Sequence, residues 1–96
     1  MPYVLKHKTT SQLYSCLMKN NYNLVYYGVK YWDWEDEANK EAAEFLGGQG
    51  AEDSAEWEVF RMEENRIKLC NVKLKSNPAL IVSLTEEDQL RVQPRP

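Results

Sequence analysis

The chain reads as an α+β domain: a small antiparallel sheet of five to six strands, curled towards a barrel, with one helix at about 34–46. Three observations predict it. Short runs rich in Val, Ile, Leu and Tyr recur between turn clusters along most of the 96 residues. The segment 34–46 carries apolar residues at helical spacing between a start and a stop signal. No repeat or long linker divides the sequence, so a single domain over 1–96 is expected.

Residues 3–8, Tyr-Val-Leu-Lys-His-Lys, predict a first short strand. Residues 12–19 are ambiguous in period: Leu13, Cys16 and Leu17 fit a helix, whereas Tyr14, Cys16 and Met18 fit a strand. The turn cluster Asn20-Asn21-Tyr22-Asn23 decides for strand, because Asn tolerates left-handed backbone and a strand-like run, 24–32, follows. The two runs then make a hairpin. Within the second, Val25, Tyr27, Val29 and Tyr31 share one face, and Leu24, Tyr26 and Gly28 the other.

The helix begins with Asp33 as expected N-cap and Glu35, Asp36 and Glu37 at the positive end of its dipole. Trp34, Ala38, Ala42, Phe45 and Leu46 form the apolar stripe. Glu37, Lys40, Glu41 and Glu44 fall on the solvated faces. Gly47-Gly48 is expected to stop the helix by offering positive φ, and 48–56 to be a mobile loop.

Residues 57–62 predict a strand, 63–66 a turn, and 67–74 another strand. Parity slips inside this last run. Ile67 and Leu69 share one face, Cys70, Val72 and Leu74 the other, so a bulge or a doubly covered strand is required. Ser76-Asn77-Pro78 breaks it. Leu80, Val82 and Leu84 alternate in the next strand, 85–88 is an acidic turn, and 89–93 a weak final strand. Pro94 and Pro96 discourage edge pairing at the end.

The net charge of −3 conceals a partition: +4 over residues 1–32, −10 over 33–64 and +3 over 65–96. The aromatics are partitioned too. Six of eleven, Tyr22, Tyr26, Tyr27, Tyr31, Trp32 and Trp34, lie within thirteen positions. A sheet with one core face cannot bury them all, so Tyr26, Tyr31, Trp32 and Trp34 are the expected binding patch. Glu37, Glu41 and Glu44 form a second candidate surface, an acidic helix face. A polar stripe, Lys68, Asn71, Lys73, Lys75 and Asn77, reads as a solvated strand face.

Several function classes lose support. No P-loop or nucleophile elbow is present, since Gly47-Gly48-Gln49-Gly50 has no Lys-Ser/Thr after it, and catalysis is not expected. Asp33, Glu35, Asp36 and Glu37 lack the spacing of a calcium loop. His7 is the single histidine and no CxxC occurs, so zinc has no ligand set; His7 reads as a strand surface residue. Cys16 and Cys70 read as buried, reduced thiols. The −10 block opposes nucleic acid, which needs clustered positive charge.

No apolar run approaches the ~20 residues that cross a bilayer, and the N-terminal residues have no secretory layout, so a cytoplasmic location is expected. The expected function is a non-catalytic module acting through protein–protein contact with a basic partner. The alternative is a planar or nucleotide-like small ligand between Tyr and Trp rings. No cofactor is implied, and homo-oligomerisation is left open.

Overall fold

A computed structural model describes residues 2–95 and is a curled antiparallel sheet, a half-barrel, with two helices. Its strands are β1 (Tyr3–His7), β2 (Gln12–Leu13), β3 (Ser15–Lys19), β4 (Val25–Val29), β5 (Tyr31–Trp32), β6 (Trp57–Arg61), β7 (Leu80–Leu84) and β8 (Leu90–Pro94). The helices are α1 (Glu35–Gly48) and α2 (Glu64–Leu74).

β1 is the centre. One edge pairs along its whole length with β6, from Tyr3↔Arg61 to His7↔Trp57. The other edge is shared: Tyr3 and Val4 face β5, and Lys6 faces Leu13 of β2. β2 continues to β7, and β7 to β8. Both faces of β1 are covered. Val4 enters a core with Leu13, Tyr27, Val29, Val82 and the α2 residues Ile67, Cys70 and Leu74. Leu5 enters a second core with Trp32 and the α1 residues Ala38 and Leu46. Neighbouring strand residues point to opposite faces, so the two helices lie on opposite sides of this strand.

The expected hairpin forms from β3 and β4, but each arm bends before it reaches the main sheet. β2 and β5 both run antiparallel to β1, hence in the same direction, while β3 and β4 run oppositely. The arms must therefore turn, and they do so at Tyr14 and Lys30. Tyr14 donates its N–H to Leu5 O (2.9 Å) and accepts from Lys30 N (3.0 Å), so its backbone belongs to both sheets.

Residues 67–74 are the main correction. They lie in α2, not in a strand. Ile67, Cys70 and Leu74, at i, i+3 and i+7, are its buried positions. The parity slip was helical spacing seen through a two-residue period. The polar stripe dissolves with it: Asn71 turns inward, and its Oδ1 accepts from Val29 N (2.9 Å).

The ends of α1 also differ from expectation. Trp34, not Asp33, is the N-cap, with extended backbone and no side-chain capping bond. Gly47 and Gly48 complete the last turn, and Gln49 caps it in a right-handed conformation. The positive φ falls later, at Gly50 (74°). The loop beyond is anchored at Asp53, which accepts from Trp57 Nε1 at 3.1 Å and lies 3.5 Å from His7 Nε2. At the C-terminus, Pro94 pairs with Leu80 as the last residue of β8, while Pro96 lies outside the described residues.

α2 ends on two consecutive left-handed residues, Lys75 (φ 53°) and Ser76 (φ 55°). A Cβ makes that conformation unfavourable by roughly 1–2 kcal/mol. Ser76 is compensated, because its Oγ accepts from Tyr27 N at 3.0 Å. Lys75 has no such side-chain bond among the described residues. Lys75→Gly is expected to stabilise the protein by about 0.5–1 kcal/mol, read as a higher urea midpoint with unchanged slope.

Candidate functional site

The start of α1 carries the site. Trp34 leaves helical register because its backbone is extended (φ −125°, ψ 139°), and its side chain is 69% exposed. It was expected in the apolar stripe. That stripe instead rests on Ala38 and Leu46, with Ala42 and Phe45 packed beside them. Trp34 and Tyr3 line an open recess of about 420 Å³ with Asp33, Glu35, Asp36 and Arg61. Tyr3 comes from β1 and Arg61 from β6, directly across the register.

From this recess an acidic strip continues along the helix. Glu37, Glu41 and Glu44 are all exposed and recur at i, i+4 and i+7 on one face. Glu41 and Glu44 flank a smaller recess, about 340 Å³, beside Phe45. Among the described residues no Lys or Arg side-chain nitrogen lies within 4 Å of a carboxylate oxygen of Asp33, Glu35, Asp36, Glu37, Glu41 or Glu44. Six carboxylates thus stand without an ion-pair partner on one side of the molecule.

The four rings of the expected patch do not form one surface. Trp32 is 4% exposed and belongs to the α1-side core. Its ring meets Phe45 edge-on (centroids 5.7 Å), and Lys30 Nζ sits 4.9 Å from its centroid. Tyr31 alternates to the other face of β5 and is 41% exposed. Tyr26 is half-buried on the hairpin, across from Met18. Only Trp34 of the four lines the recess. The assumption of one core face failed here, because β1 carries a core on each face and the α1 side absorbs Trp32.

Sequence reasoning missed Tyr3 and Arg61 as neighbours of Trp34. Their only signal was the pairing of 3–8 with 57–62, which no local pattern gives. His7 was also misjudged as a surface residue. Its Nδ1 accepts from Thr9 N and Thr10 N (3.2 Å each), which places the ring proton on Nε2, facing Asp53. Its ring meets Trp57 edge-on at 5.1 Å, so it is a structural joint between β1, the turn after it and the loop before β6.

Neither of the two free thiols lines this recess. Burial pushes the Cys70 thiol up to about 11 and raises Cys16, holding both protonated at neutral pH. Burial likewise raises the Tyr14 phenol. A larger recess, about 540 Å³, lies elsewhere, between the turns after β1 and β7. It is lined by Thr9, Thr10, Ser83, Thr85 and Arg91, among others, and contains no aromatic ring. No helix is long and apolar enough to cross a membrane, and no group of three or more His, Cys, Asp or Glu among the described residues could hold a metal ion.

Fold and site together define a small α+β domain, a curled antiparallel sheet with helices on both sides of its central strand. Comparison with protein-family models, with curated proteins and with solved structures gave no match.

Proposed function

We propose that the chain is a non-catalytic binding module that takes a basic segment of a partner protein. The observation that carries this reading is an exposed Trp34 beside Tyr3 in a recess with three carboxylates, at the head of an unpaired acidic strip. An Arg or Lys side chain laid on the indole gains a cation–π contact of about 0.5–2 kcal/mol. Asp33, Glu35 and Asp36 supply hydrogen-bond acceptors and charge, and Glu37, Glu41 and Glu44 extend the attraction to neighbouring bases of the same segment. Arg61, the one base in the recess, opposes the incoming cation.

The planar-ligand alternative has less support, because the rings of 22–34 do not converge on one cavity.

The test is anisotropy of a labelled Arg/Lys-rich peptide titrated with protein. Trp34→Ala is expected to weaken binding at least tenfold, as for an aromatic anchor at an interface centre. Glu41→Gln/Glu44→Gln should cost only severalfold and flatten the salt dependence. Arg61→Gln should tighten binding severalfold. Binding that is absent in wild type, or indifferent to Trp34→Ala in a folded variant, overturns the reading.

A further inference from the structure

The hairpin is the least charged part of the chain. Residues 9–29 hold one charged side chain, Lys19, whereas 28% of the whole sequence is charged. It also exposes apolar side chains: Leu17 (61%), Tyr22 (84%), Leu24 (63%) and Val25 (58%) are half of the exposed large hydrophobics among the described residues.

Hydrogen-bond parity shows which way its edges face. Tyr27 N and Val29 N point away from β3, to Ser76 Oγ and Asn71 Oδ1. Their cross-strand partners are Leu17 and Ser15, and Lys19 follows two residues on. In an antiparallel pair, residues opposite one another turn their polar groups the same way, inward or outward. Ser15, Leu17 and Lys19 therefore turn N–H and C=O to the open side of β3. Asn20 N, bonded inward to Leu24 O, confirms the alternation. Among the described residues those three N–H groups have no protein acceptor.

The two edges of the hairpin thus differ: α2 and the turn after it close the β4 edge, and among the described residues no hydrogen bond closes the β3 edge. The outer strands of the main sheet are blunted in the usual way, β6 by Glu58 and Arg61, β8 by Arg91 and Pro94. β3 has neither proline nor bulge, and a single Lys at its end.

We propose that β3 is the dimerisation edge of this protein, and that two copies pair β3 to β3 antiparallel about a two-fold axis at Leu17. Charge placement selects a second copy as the occupant. In this register Leu17 faces Leu17, and each Lys19 faces Ser15 of the second copy, so no like charges meet. The open side offers no acid for a basic partner and one Lys for an acidic one. Self-pairing is the arrangement whose demands this edge meets with its own groups. The outward residues become hydrogen-bonded pairs, each exchanging two N–H···O bonds. Leu17 and Val25, diagonal neighbours on one face, continue into the matching pair of the second copy. A four-stranded sheet, β4-β3-β3-β4, results. This surface is separate from the Trp34 recess and does not depend on it.

Light scattering and sedimentation equilibrium test it. Wild type is expected at twice the 11.3 kDa chain mass. Leu17→Lys and Leu17→Glu place like charges on the axis, and each alone should raise the dimer dissociation constant at least about tenfold. Mixed in equal amounts they should dimerise again, because Lys then faces Glu. Far-UV circular dichroism checks that both variants are folded, as the exposed position of Leu17 leads us to expect. A wild-type monomer at about 500 µM, well above a micromolar dissociation constant, overturns the proposal. So does a dimer that survives both single substitutions, or a mixture no more dimeric than its components.

Discussion

Leu5→Ala is expected to remove about 3–5 kcal/mol of stability. Leu5 is fully buried in the α1-side core, against Trp32, Ala38 and Leu46. The strand that carries it is held on both edges, and Val4 is fully buried on the opposite side. Backbone relaxation into the cavity would therefore disturb the second core, so the site cannot collapse. Costs at the upper end of the Leu→Ala range come from sites of this kind. A chain of this length has on the order of 5–14 kcal/mol in total. One methyl-rich side chain thus accounts for a large fraction of it. Urea unfolding at 25 °C measures the loss. A change under about 1 kcal/mol would mean that α1 does not pack on β1 as described.

The second large effect is an interaction rather than a residue. A methyl group on Gly28 would sit 2.7 Å from Asn71 Oδ1, the oxygen that accepts from Val29 N. Gly28→Ala therefore forces Asn71 aside and strands the Val29 amide, beside a side chain that is fully buried. We expect a loss of about 2–3 kcal/mol, the cost of a buried unsatisfied donor plus local strain. Asn71→Ala alone should cost about 1–3 kcal/mol for the same missing acceptor. The two losses should not add. In the Asn71→Ala background the three nearest atoms to the new methyl are gone, and Gly28→Ala should cost about 1 kcal/mol or less. Fully additive losses in the double-mutant cycle would refute the close approach of α2 to β4.

Much of the fold was legible locally. Alternation in 80–84, the Asn-rich turn at 20–23 and the acidic start and apolar stripe of α1 each express a short-range preference. They placed β7, the hairpin and α1 to within a few residues. What escaped depended on long-range contacts. Residues 67–74 contain Ile, Val and Leu at positions that suit strand and helix alike. What makes the helix the stable choice is that Ile67, Cys70 and Leu74 together meet β1, β4 and β7 across the sheet. The site was legible by half. Helical spacing put Glu37, Glu41 and Glu44 on one face of α1, and all three side chains are exposed there. Trp32 and Trp34 could not be separated by spacing, because the chain changes from strand to helix between them. The adjacent apolar pair Val4-Leu5 in a strand-like run was the available hint that the sheet has two cores.

The shared peptide units of Tyr14 make the hairpin a lever with a fulcrum. Its outer arm is free, and its inner end is fastened at Leu5 and Lys30 through one residue, and at Asn71 and Ser76 through the helix side. Tilting the arm must stretch a bond in the main sheet or one in the hairpin itself. Force applied near Leu17 is thereby delivered to the Leu5 carbonyl, beneath α1. Amide protection at Tyr14 should track the global stability of the molecule rather than local fraying of the hairpin tip.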